Sequence, residues 1–205
     1  MNAPVDALVI ASRNPAKVNE FRRLLARSPW RVVALDDVPE GADVELVEPG
    51  PDYAANAVAK AVAASLATSL PTLGDDSGIE VEALHGWPGP TSARWLGPDA
   101  SDADRLRGLI EEVSRRSPDD RRVRYVAAVA VARPGGEPVV AHGTCDGVLV
   151  EPRGTGGFGY DPGFLSSDLG VTFGEAGDTQ KDAVSHRARA LRRLAESGVL
   201  TPPDP

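Results

Sequence analysis

Apolar and polar positions along the chain follow two periods, and the switches between them mark the elements. ALVIAS (7–12) is a short apolar run that predicts a strand. Asn14 and Pro15 then supply a helix N-cap and a first-turn proline, and Val18, Phe21, Leu24 and Leu25 fall on one helical face. SPW (28–30) ends that helix before a second strand, RVVAL, giving a β-α-β opening. Residues 36–51, rich in Asp, Glu, Pro and Gly, fit neither period and read as a long loop. Residues 52–69 predict an alanine-rich helix, with Ala57, Ala61 and Ala64 permitting close packing and Asn56 and Lys60 one turn apart on the same face. PTLGDD reads as a strand and turn, and IEVEAL as a short alternating strand.

Ser101 opens a surface helix over 101–116, with Leu106, Leu109, Ile110 and Val113 on one stripe. Two Val-rich runs joined by PGG predict a β-hairpin, so the sheet is expected to be mixed. A last helix is expected over about 182–196, with fraying from about residue 198. There is no internal repeat and no linker long enough to separate domains, so residues 1–205 read as a single domain.

Composition narrows the class. Of 205 residues, 41% are hydrophobic and 25% charged, a globular mix, and no apolar run approaches the roughly 18 residues of a membrane span. The N-terminus has neither the basic opening nor the cleavage site of a secretory signal, and the only cysteine is Cys145. A cytoplasmic location is the expectation. The net charge of −8 opposes a basic stripe for nucleic acid, yet leaves room for a small anion held by a few local cations.

Four stretches carry candidate chemistry, each with a plainer alternative. SRNPAK (Ser12, Arg13, Asn14, Pro15, Ala16, Lys17) lies where a strand enters a helix, so backbone N–H groups, the helix dipole and Lys17 suit an anion; an ordinary Asn-Pro cap with an exposed lysine also fits. In GDDSG (74–78), adjacent Asp75 and Asp76 at a turn suit a hard cation that offsets their repulsion, or are merely capping side chains. Glu48, before the alanine-rich helix, is either a cap-region charge or a metal ligand. RGTGGFGYDPGF (153–164) has five glycines among aromatic residues, as a base pocket or a surface loop would. Lys181, His186 and Arg187 cluster at an expected helix start, where the dipole disfavours cations unless a ligand arrives.

SRNPAK with Glu20, EPGPDYAANAVAKA, GDDSGIEVEAL, PGPTSAR, GGFGYDPGF and KDAVSHRARAL, in this order, resemble the inosine triphosphate pyrophosphatase family over nearly the whole chain. The resemblance implies an α/β fold with a long mixed central sheet flanked by helices, two lobes around an active-site cleft, and a homodimer. It also implies Mg²⁺-dependent hydrolysis of dITP, ITP and XTP to the monophosphate and pyrophosphate, cleansing the nucleotide pool. By the same resemblance, Ser12 to Lys17 and Lys60 grip the triphosphate, Glu48 and Asp76 engage Mg²⁺ with Asp75 as a further candidate, and Asp76 activates the attacking water. Ser77, Phe158, Gly159, Tyr160, Asp161, Lys181, His186 and Arg187 match nucleotide-binding positions, with Phe158 and Tyr160 as walls around the base and His186 and Arg187 as donors to a 6-keto oxygen. The chain departs from the family pattern at Arg13, where glycine is usual, at Ala55, where a glutamate is usual, and at Asp182, where an asparagine is frequent.

Two competing readings use the same residues. A non-catalytic purine nucleotide sensor needs the cations and rings but not Asp76, and a Maf-like pyrophosphatase has another opening motif and base preference. A membrane or nucleic-acid partner is not expected.

Overall fold

A computed structural model describes residues 6–201. Its elements run β1 (Ala7–Ala11), α1 (Pro15–Leu24), β2 (Arg31–Ala34), α2 (Tyr53–Thr68), β3 (Thr72–Val81), α3 (Asp102–Arg116), β4 (Arg122–Ala132), β5 (Val139–Leu149), β6 (Phe164–Ser166), α4 (Asp178–Val184) and α5 (His186–Glu196). The strands form one mixed sheet of order β2-β1-β3-β4-β5-β6, with β1 parallel to β2 and β3, and β5 antiparallel to β6. Among the described residues, no helix is long and apolar enough to cross a membrane.

The chain divides into two compact units. Of the described residues, unit one takes in those up to Asp76, Ala128–His142 and those from Arg187 onward. Its β1 is wholly buried, which is why ALVIA carries no polar residue. Asn14 caps α1 as its sequence implies, its Oδ1 accepting from Ala16 N–H (2.9 Å) and Lys17 N–H (3.3 Å). Ala57 and Ala61 of α2 pack with Ala128, Ala130 and Ala132, an all-alanine contact that lets helix and sheet approach closely. Fraying does not begin at residue 198. Trp30 Nε1 donates to Leu200 O (2.6 Å), and Arg133 Nη2 donates to Val199 O (2.9 Å) and Thr201 O (2.6 Å), so the chain is tied down to the end of the described residues. The expected fraying of 202–205 lies outside those residues.

Unit two comprises Ser77–Ala127 and Gly143–His186. Its core joins Leu106, Leu109, Ile110 and Val113 of α3 to Tyr125, Phe164 and Phe173. Ser101 and Asp104 form a reciprocal capping box at the start of α3.

Two further expectations are corrected. GDDSG is not a turn, because β3 runs unbroken through it for ten residues. Its glycines serve close approach. A Cβ on Gly74 would run into Ala57 O and the Ala61 backbone of α2, and one on Gly78 would meet Gly89 O and Ser92. The last helix is two helices: Ser185, in extended conformation, separates α4 from α5. Lys181 therefore occupies the last turn of α4, where the dipole favours a cation, and only His186 and Arg187 open a helix.

Candidate active site

Because Asp75 and Asp76 are consecutive on a strand, their side chains point to opposite faces. Each meets its own cations, so their mutual repulsion is relieved by the pleat. Asp75 is paired with Lys17 Nζ (2.7 Å) and Arg187 Nε (3.3 Å), and Arg187 Nη1 in turn donates to Glu20 Oε2 (3.2 Å). This network is buried: Glu20, Asp75 and Arg187 are 0%, 2% and 3% exposed. Burial alone would push the Asp75 carboxyl up, but the charges of Arg187 and then Lys17 outweigh it and hold the group well below the usual carboxylate range. Burial pushes Lys17 down, and the like charges of Arg187 and Lys60 add to that against the pull of Asp75.

On the other face, Asp76 accepts from Asn56 Nδ2 (2.8 Å) and from Lys60 Nζ (3.3 Å), and the same ammonium donates to Glu48 Oε1 (2.9 Å). Asn56 also fixes the segment that carries Glu48, donating to Gly50 O (2.8 Å) and accepting from Gly50 N–H (3.1 Å). Asp76 thus sits in a bay bounded by an amide, an ammonium and a second carboxylate. Burial pushes its carboxyl up, and Lys60 and Asn56 offset that only in part. A carboxylate of raised basicity suits proton acceptance from water.

The opening motif is placed differently from its simplest anion reading. Asn14 itself occupies the amides of Ala16 and Lys17, and Ser12 Oγ accepts from Asn14 N–H (3.2 Å). Lys17 is half-buried against Asp75 rather than exposed. The Arg13 guanidinium is taken up by Asp36 and by the carbonyls of Gly41, Ala42 and Val44, which makes it a clamp on the long loop. Arg187 is likewise engaged by Glu20 and Asp75, a placement unlike that of a donor to a base.

In unit two, Asp161 is the hub. Its Oδ2 accepts from Lys181 Nζ (2.7 Å) and Phe158 N–H (2.8 Å), and its Oδ1 from Tyr125 Oη (3.1 Å). Lys181 Nζ lies 4.7 Å from the centre of the Phe158 ring, a cation–π contact. The His186 ring stacks on Tyr125 with centroids 4.6 Å apart and planes 10° from parallel. Phe158 is half-buried. Tyr160 is not such a wall: only 5% exposed, its hydroxyl donates to Ser92 O (2.7 Å) and accepts from Trp95 Nε1 (2.8 Å), so it anchors the loop, and burial pushes the phenol up to about 12. Ser77 follows Asp76 on β3 and is half-buried.

The Ham1 family model matches residues 8–197. The chain belongs to the Ham1 family. Ham1 relatives include a dITP/XTP pyrophosphatase of Geobacillus kaustophilus, 44% identical over 190 residues that cover 92% of each chain. Another from Symbiobacterium thermophilum is 46% identical over 191 residues, covering 92% of this chain and 93% of that one. Among solved structures, a HAM1 protein from Coxiella burnetii has a TM-score of 0.81 at 32% identity, covering 94% of this chain and 98% of its own. A nucleoside-triphosphatase, dITP/XTP pyrophosphatase, from Mycobacterium abscessus has a TM-score of 0.71 at 40% identity over 92% and 98%. The family and α/β class read from the motifs are borne out.

Several residues of this Ham1 site are absent from the sequence-derived set. Asn56 holds Asp76 and Gly50, Glu20 holds Arg187, and Tyr125 joins His186 to Asp161. Asn56 carries a signal, a polar residue on an alanine face, and Glu20 carries a weaker one beside Phe21. Tyr125 has none, because a tyrosine in a Val-rich strand reads as core.

Proposed function

We propose that this Ham1 protein hydrolyses dITP, XTP and ITP to the nucleoside monophosphate and pyrophosphate, removing non-standard purines from the nucleotide pool. The observation that carries this reading is the placement of Asp76: a buried carboxylate held by Asn56 and Lys60, with Glu48 on the same ammonium. A protein that only sensed nucleotides would have no use for such a base beside its cations.

Unit one supplies the phosphate chemistry. Lys17 and Lys60 bind the triphosphate, while Asn56 keeps the Asp76 carboxylate oriented. Asp76 accepts a proton from the water whose oxygen bonds to the α-phosphorus. The bond from that phosphorus to the bridging oxygen breaks, and pyrophosphate leaves with its charge met by the two lysines.

Among the described residues there is no group of three or more His, Cys, Asp or Glu side chains with the placement of a metal cage. The donor set nonetheless fits Mg²⁺. That ion usually takes one or two carboxylates and completes its shell with water and substrate phosphates, and Glu48 and Asp76 provide two hard-oxygen donors beside one ammonium. When bound, Mg²⁺ neutralises charge on the phosphate oxygens.

Unit two supplies base recognition. Phe158 offers a ring face, and the Lys181–Asp161–Tyr125–His186 assembly fixes the polar groups that read the purine edge. A site built to donate to a 6-keto oxygen rejects adenine, whose amino group would leave those donors unpaired. We further take the protein to be a homodimer, as the family resemblance implies, and a cytoplasmic single-domain protein, as its single cysteine and short connections lead us to expect.

Pyrophosphate release from XTP, ITP, dITP, GTP and ATP, each with and without Mg²⁺, tests the reading. Release confined to the first three and dependent on Mg²⁺ is expected, whereas nucleotide binding with no turnover on any of them overturns it in favour of a sensor.

A further inference from the structure

The glycine-rich loop that carries Phe158 and Gly159 is held by two consecutive amides aimed at two different carboxylates. Phe158 N–H donates to Asp161 Oδ2 (2.8 Å), inside the buried hub already described. Gly159 N–H donates to Asp102 Oδ2 (2.7 Å), across 57 positions of sequence. Asp102 is the first residue of α3, and its other oxygen is held by Arg105 Nη1 (3.1 Å), one turn along the same helix.

Asp102 is not needed where it stands for the usual reason. Ser101 and Asp104 already form the capping box of α3, so the helix start is satisfied without it. Packing does not fix the peptide it holds either. Gly159 has φ +64°, and nothing lies within 4 Å of where its Cβ would stand. The neighbouring glycines are different: a Cβ on Gly157 would collide with the Asp161 carboxylate, and one on Gly154 with the backbone of Gly174. A loop so rich in glycine loses much conformational entropy when it orders. Its far end therefore depends on a polar tether, and a carboxylate accepting from an amide is a strong one.

We propose that Asp102, steadied by Arg105, is a positioning residue for base recognition: a latch from α3 that sets the Phe158–Gly159 peptide and with it the Phe158 ring. The proposal rests on the reading that this loop receives the base. Its chemistry predicts an effect on the part of a substrate that carries a purine and none on the part that carries phosphates.

The test compares Asp102→Ala and Asp102→Asn in the full chain. Amide hydrogen exchange over 153–164 is measured first, because it does not depend on turnover. Exchange of the Gly159 amide is expected to rise about tenfold in Asp102→Ala and to recover in part in Asp102→Asn, whose side-chain oxygen still accepts. The KM for ITP is expected to rise about tenfold in Asp102→Ala at unchanged kcat, while inhibition by inorganic tripolyphosphate, which has no base, stays as in the parent. Unchanged exchange in a folded Asp102→Ala protein overturns the latch. So does a KM for ITP that moves only in step with the tripolyphosphate inhibition constant. Failure of the parent itself to turn over ITP would instead strike the proposed function, and exchange would still decide the latch.

Discussion

Unit one carries a cluster of ion pairs, and unit two carries a cluster of rings. In unit one Lys17, Lys60 and Arg187 stand against Glu20, Glu48, Asp75 and Asp76, so each cation is balanced and each can be re-partnered by an incoming charge. In unit two a tight pair, Lys181 with Asp161, sits among Phe158, Phe173, Tyr125 and His186, where ring faces and hydroxyls set shape. The difference is one of recognition chemistry. A triphosphate is recognised by charge, which tolerates small displacements, while a base is recognised by planes and hydrogen bonds, which do not.

The strongest way to break this comparison is at Asp76. Asp76→Asn keeps the shape and the link to Asn56 but removes the proton acceptor, so pyrophosphate release should fall by about 10²–10⁴-fold while nucleotide binding by calorimetry persists. Release at the native rate would remove Asp76 from the chemistry.

The next effect is on stability rather than rate. Asp75→Asn leaves the half-buried Lys17 without its carboxylate and Arg187 with Glu20 alone, a penalty of about 3 kcal/mol, measurable by urea unfolding. Asp76→Asn should cost far less. The pH dependence carries the same signature. A carboxyl held below its unfolded pKa favours the folded state wherever it is ionised. The Asp75 contribution is thus fully present above the ordinary carboxylate range and declines as pH falls through the folded value. The acid-side slope of unfolding free energy should flatten in Asp75→Asn.

The smallest effect sharpens the ring side. Tyr125→Phe keeps the stack on His186 and deletes only the hydroxyl that donates to Asp161, so a loss of about 1–2 kcal/mol in stability is expected with the phosphate chemistry intact. A matching loss of tripolyphosphate inhibition would blur the division between the two units.

Local rules made most elements legible. The Asn14 cap, the alanine face of α2 and the Leu-Ile-Val stripe of α3 depend on neighbours within a few residues, and they stand where their patterns place them. GDDSG misled because two glycines and two aspartates have turn chemistry, and the reason they form a strand lies far off in sequence, in the α2 backbone that crowds Gly74 and in Gly89 that crowds Gly78. Ser185 hid the break between α4 and α5 because serine is compatible with either state. At the site, Lys60, Glu48 and Asp76 were legible as a set from the motifs. The partners of Arg13 and Tyr160 were not legible, since what a long side chain reaches is decided by which loop or core wall lies within its span.

The docking of the chain end onto Trp30 gives the molecule a built-in optical gauge. That indole is buried, with its N–H on Leu200 O and the Arg133 guanidinium 5.7 Å from its ring centre. Trp87 and Trp95 pack edge to face on each other in unit two, at 4.8 Å. Loss of the Leu200 contact would uncover the first indole to water and leave the other pair untouched, so a red shift in the Trp30 emission would report detachment of residues 199–201 while the protein remained folded.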